Sequence, residues 1–136
     1  METSEKNIGL VKSKVHRILV IDDERDAVEL LELILTNEEY IVDKSYTANE
    51  AMKILKSYQK LPDLILLDVK MPGKNGITLC QELKKNKVIK NIPIIMLSAL
   101  TFPKDVENGL AVGANDYISK PWSHDDLISR VNVHLL

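Results

Sequence analysis

The chain has 136 residues, enough for one domain that buries about two-thirds of the surface its unfolded form exposes, without a metal or disulfide to hold it. Eighteen Lys plus Arg against twenty Asp plus Glu leave a net charge of −2, which excludes a nucleic-acid binder that works by overall charge. The single cysteine (Cys80), the lack of any apolar run near the ~20 residues of a membrane span, and the start Met1-Glu2-Thr3-Ser4-Glu5 leave a small α/β domain, expected in the cytoplasm with no membrane contact.

Residues 1 to about 15 scatter Lys6, Lys12 and Lys14 among Ile8, Leu10 and Val11 without periodicity. They are expected to form a flexible arm, with the domain occupying residues 16–136. The run Ile18-Leu19-Val20-Ile21 is wholly apolar, as are Leu64–Leu67 and Ile94–Leu97. Four apolar residues in a row read as a strand covered on both faces, which is the habit of parallel sheets. Residues 41–46, with Asp43 and Lys44, and residues 116–118 are more mixed and suit sheet edges.

Helical patterns fill the gaps. Ala27, Leu30, Leu31, Ile34 and Leu35 predict the first helix. Thr47 and Glu50 form a capping box ahead of Ala51, Ile54, Leu55 and Tyr58. Leu79 and Leu83 mark a third helix after Gly76, and Val106, Leu110 and Ala111 a fourth, with Pro103 near its first turn. Ser123 and Asp126 can cap a fifth that buries Leu127, Ile128, Val131 and Leu135. Five β-α units in succession predict a parallel sheet with right-handed crossovers and helices on both faces.

Ligands of such sheets bind outside the carboxyl ends of the strands. There the sequence supplies Asp22, Asp23 and Glu24, then Asp68, then Ser98, then Lys120. Each has an ordinary reading taken alone: Asp22 or Asp23 as a helix cap, Asp68 as a turn acid, Ser98 as a strand-end serine, Lys120 as a surface cation. Together they point elsewhere. Crowded carboxylates call for a cation, and hard oxygen ligands with room for water suit Mg²⁺. A lysine and a hydroxyl beside them can receive a dianionic group, which is the equipment of phosphoryl transfer to a carboxylate.

The segments Ile18–Glu24, Leu66–Gly73 with Gly76, Met96–Ala99 and Gly113–Trp122 resemble, in order, the receiver domain of two-component response regulators. The likeness covers residues 17–135. It implies a flavodoxin-like fold with strand order 2-1-3-4-5 and five helices. Asp68 would accept a phosphoryl group from a sensor histidine kinase or phosphotransfer protein. Asp23, Asp68 and the backbone carbonyl of Lys70 would bind Mg²⁺ directly, and Asp22 through water. Lys120 would pair with Asp68 and then with the phosphoryl oxygens. Ser98 would hydrogen-bond the phosphoryl group, and Tyr117 would move inward as Ser98 shifts. The face built from the fourth helix, fifth strand and fifth helix would then change shape for a downstream effector. The Lys120–Pro121 peptide would be cis. Such a domain modifies itself and has no separate substrate to turn over.

Other features are read beside that frame. Lys70 and Leu100 stand where the family varies and tunes phosphoryl lifetime; Lys70 can touch the phosphoryl oxygens, obstruct water or simply be solvated. The family's acid pair before the switch aromatic is Asn115-Asp116 here, which puts homodimerisation through Arg130 in question. Trp122 is expected to pack at the start of the fifth helix, and Cys80 to be structural. His16, His124 and His134 form no metal motif. A haloacid-dehalogenase-type phosphatase would need an acid at position 70, and a flavodoxin a phosphate loop where Asp22-Asp23-Glu24 stand. A degenerate receiver used only for docking is the remaining alternative. No nucleic-acid contact is expected. A helical pattern running to Leu136 without a stop signal leads to the expectation that the chain is the N-terminal module of a longer protein.

Overall fold

The computed structural model describes residues 14–136. Residues 1–13, which make up nearly all of the expected N-terminal arm, lie outside the described residues. Ten elements alternate along the chain: β1 (Arg17–Ile21), α1 (Arg25–Asn37), β2 (Ile41–Ser45), α2 (Ala48–Lys56), β3 (Leu64–Asp68), α3 (Gly76–Lys85), β4 (Ile94–Ser98), α4 (Pro103–Ala111), β5 (Asp116–Ser119) and α5 (His124–His134). All strand pairs are parallel and the order is β2-β1-β3-β4-β5, as the resemblance implies.

The apolar runs become central strands because successive side chains point to opposite faces and both faces are covered. Leu19, Ile21, Ile65, Leu67 and Met96 turn toward α2 and α3, where Ala51, Leu55, Leu79 and Leu83 meet them. Ile18, Val20, Leu64, Leu66, Ile95 and Leu97 turn toward Val28, Leu31 and Leu35 of α1 and Leu127 and Val131 of α5. The more polar β2 is the edge beside β1, where Arg17 Nη1 donates to both Asp43 carboxylate oxygens, at 3.0 and 2.8 Å.

The predicted caps form at α2 and α5. Thr47 Oγ1 accepts from the Glu50 amide at 3.0 Å, and Ser123 Oγ from the Asp126 amide at 3.1 Å. Glu50 reaches back to the Tyr46 amide rather than to that of Thr47. Asn75 caps α3 by accepting from the Thr78 amide. At α1 neither Asp22 nor Asp23 is the cap. Glu24 holds that position without a side-chain bond, and Asp22 Oδ1 accepts from the Glu24 amide at 3.0 Å.

Apolar assignments shift in three helices. Leu30 is 48% exposed and Ala27 half-buried, while Val28 is the residue that α1 buries. Tyr58 lies past the end of α2 with φ of +55° and is exposed, its backbone having left the helix. Leu110 is exposed, and α4 buries Gly109 instead.

Candidate functional site

Strand register assembles the site. Ile21 pairs with Leu67, so the residues that follow them, Asp22 and Asp68, lie side by side. Asp68 pairs with Leu97, which puts Ser98 one step further along the rim, and Ser98 pairs with Ser119, which puts Lys120 there too. Four strand ends thus deliver every predicted polar side chain to one edge.

Asp22, Asp23 and Asp68 offer oxygens within 4.8 Å of one another. Asp22 and Asp68 are buried, at 2% and 7% exposure, and Asp23 is open to solvent. Lys120 Nζ lies 3.0 Å from Asp22 Oδ2 and 3.6 Å from Asp68 Oδ1. The Lys120–Pro121 peptide that carries the lysine to this point is cis. Burial, joined by the charge of Asp22, raises the Asp68 carboxyl to about 6 against the opposing pull of Lys120 and the Lys70 amide. Burial works to lower the Lys120 ammonium, but its bond to Asp22 and the charge of Asp68 outweigh that and raise it.

Beside the acids opens a cleft of about 480 Å³ whose walls include Lys70, Met71, Pro72, Ser98 and Leu100. The backbone of Asp68 and Val69 packs closely on Gly76. A Cβ there would collide with the Asp68 carbonyl oxygen and lie 2.8 Å from Val69 Cα, so only glycine lets α3 start against this loop. The Gly76 amide donates to the Val69 carbonyl at 2.8 Å. Ser98 is fully buried, and its Oγ accepts from the Leu100 amide at 3.0 Å. Tyr117 is 8% exposed, its ring lying inward, and its hydroxyl donates to the Leu100 carbonyl at 2.5 Å. Leu100 therefore touches both predicted switch residues through its backbone.

The residues fit a hard divalent cation. Three carboxylates face one ammonium, an excess of two negative charges, and the Asp68 carboxyl is raised first by burial and then by the charge of Asp22. Oxygen donors with an open cleft for water are the set Mg²⁺ takes. Asp22, Asp23 and Asp68 would hold it.

Features outside the site fall as follows. Arg130 Nη1 binds Asp116 Oδ1 at 2.7 Å and His134 Nε2 lies 3.1 Å from Asp116 Oδ2, so this acid is engaged within its own chain. Trp122 is half-buried against the α1–α5 side of the sheet. Cys80 is buried, burial raises its thiol, and its Sγ contacts the Val112 carbonyl. The three histidines are not part of the acidic cluster. The Leu100 backbone is not legible in the sequence as part of the site, because it offers no polar side chain for a motif to show. Gly76 was visible as part of a motif, without its physical reason. Among the described residues, no helix is long and apolar enough to cross a membrane.

Known proteins agree with this geometry. The family model for the response regulator receiver domain matches residues 18–132. The regulatory protein VanR of Enterococcus faecium is 41% identical over 119 residues, covering 88% of this chain and 49% of VanR, so the chain spans about half the length of that curated relative. The signal receiver domain of a signal transduction histidine kinase from Syntrophus aciditrophicus is 36% identical with a TM-score of 0.82, over 89% of this chain and 90% of that one. The receiver domain of the Francisella response regulator 1452 is 31% identical with a TM-score of 0.80, over 88% of this chain and 96% of that one. Fold, strand-end chemistry and relatives converge, and the chain belongs to the response regulator receiver domain family.

Proposed function

We propose that this domain is a phosphorylation-driven switch that takes a phosphoryl group onto Asp68 from the phosphohistidine of a sensor kinase or phosphotransfer protein. The observation that carries this reading is the meeting of three carboxylates with Lys120 and Ser98 at the ends of four strands. An Asp68 oxygen attacks phosphorus, the phosphorus–nitrogen bond breaks and the imidazole leaves. Asp23, Asp68 and the Lys70 carbonyl would hold Mg²⁺ directly and Asp22 would hold it through water, and the ion would supply charge neutralisation for the transferring group.

Lys120 has the reach to follow the new charge, since it already spans Asp22 and Asp68. The phosphorylated carboxylate gains about −1.5 to −2 of charge and several acceptor oxygens. Ser98 can turn its hydroxyl toward them. Its present bond to the Leu100 amide and the bond from Tyr117 to the Leu100 carbonyl tie the two residues to one loop. A change at Ser98 therefore reaches Tyr117 and the face formed by α4, β5 and α5, where a downstream effector would read it. Lys70, exposed at the mouth of the cleft, is placed to adjust how long the acyl phosphate survives. It also stands where an Asp-nucleophile phosphatase would need its general acid, which speaks against that chemistry.

The test is binding of beryllofluoride with and without Mg²⁺, followed by Trp122 fluorescence. The reading expects an Mg²⁺-dependent change that Asp68→Asn abolishes. An Mg²⁺-dependent change of equal size in that variant removes Asp68 as the acceptor.

A further inference from the structure

Gly109 is the seventh of the nine residues of α4 and the one residue that helix buries. Glycine weakens a helix interior relative to alanine, so its presence needs a reason. Backbone geometry is not that reason, since among the described residues the glycines with positive φ are Gly73 and Gly113. Space is. A Cβ on Gly109 would stand 2.8 Å from Met96 Sδ and 2.9 and 3.0 Å from Cδ2 and Cε2 of Tyr117, closer than real contacts allow. Met96 has a flexible side chain that can yield. The Tyr117 ring is rigid, rooted in β5 at one end and bonded to the Leu100 carbonyl at the other. A methyl group at 109 and the inward ring compete for one volume.

We infer that Gly109 is a positioning residue for the switch: its bare Cα is the seat of the inward Tyr117 ring, and a side chain there drives the ring outward and weakens the phosphorylated state. This rests on the reading of Ser98 and Tyr117 given above. The coupling runs through Leu100, whose amide and carbonyl bond Ser98 and Tyr117 respectively. Because linkage is reciprocal, whatever disfavours the inward ring also disfavours the phosphoryl group that Ser98 turns to meet.

The test uses the full chain carrying 3-fluorotyrosine, with the Tyr117 resonance assigned by Tyr117→Phe. Gly109→Ala is expected to shift that resonance in the ligand-free protein and to weaken Mg²⁺-dependent beryllofluoride binding about fivefold. In a Tyr117→Ala background, Gly109→Ala is expected to leave beryllofluoride affinity unchanged. An unshifted resonance, an unchanged affinity in the single variant, or an equal loss in the Tyr117→Ala background overturns the inference. Should Gly109→Ala lose its fold, recovery in the double variant with Tyr117→Ala upholds the clash with the ring, and failure to recover overturns it. A wild-type chain that takes no beryllofluoride defeats the phosphorylation reading and the coupling with it. The fluorine shift alone then decides whether Gly109 seats the ring.

Discussion

Asp68 is the residue on which opposing forces meet. As the proposed acceptor it would have to be ionised to attack phosphorus, yet burial and Asp22 raise its carboxyl to about 6 from an ordinary value of 3.8. Between those two values the folded chain holds a proton that the unfolded chain has lost. Stability therefore falls as pH rises from about 4 to about 6 and levels off above, opposite in sign to the effect of a salt-bridged acid. The contribution is about 3 kcal/mol, readable as a drop in the urea midpoint in chelator, and Asp68→Asn is expected to abolish it. Lys120 is the counterweight. Lys120→Met leaves Asp22 buried without its cation, and a loss of about 2 kcal/mol is expected, lower than for a fully buried pair because the ammonium is partly exposed. The same variant is expected to raise the Asp68 carboxyl further, which a carbon-detected NMR titration would show.

At the scale of elements, the loop from β3 to α3 is the part with least tolerance. Gly76→Ala puts a methyl group onto the Asp68 carbonyl and Val69 Cα, and overpacking of this kind costs about 1–3 kcal/mol. Since the displaced atoms include those of the proposed acceptor, Asp68, the variant is expected to bind beryllofluoride more weakly as well as to melt earlier. Thr47→Ala, by contrast, removes the α2 cap at the far edge of the sheet. It is expected to cost about 1 kcal/mol and leave beryllofluoride affinity unaltered. How far elements could be read beforehand depends on how much each face differs from its opposite. β1, β3 and β4 were legible because both faces of a central strand are buried, so the run has no polar breaks. In α1, apolar residues occupy more than one face, with Val28, Leu30, Leu31, Leu33, Ile34 and Leu35 within one stretch. Periodicity points to Ala27 and Leu30 for the buried face, and packing buries Val28 instead. In α4 the buried residue is a glycine, which contributes nothing to a hydrophobic pattern. Tyr58 fitted the α2 spacing, but the helix ends at Lys56 and the next turn is left-handed.

For the whole molecule, a modest net charge of −2 conceals an acidic edge that the sheet assembles from residues far apart in sequence. The positions of Asp22, Asp68, Ser98 and Lys120 could be anticipated because a parallel sheet sends all its carboxyl ends to one side. Their mutual distances could not, since these depend on register, and the backbone link through Leu100 carries no signal in composition. An assembly of like charges should answer to a cation as a unit. Mg²⁺ is expected to raise the melting temperature of the wild-type chain, and Asp68→Asn to melt higher than wild type in chelator while responding less to Mg²⁺. The most direct measurement is intact mass after incubation with acetyl phosphate, with Mg²⁺ or with chelator. One phosphoryl group is expected to add in Mg²⁺ alone, at a site lost in Asp68→Asn. A chain that gains no mass under either condition, or gains it equally in Asp68→Asn, contradicts a phosphorylation switch built on Asp68.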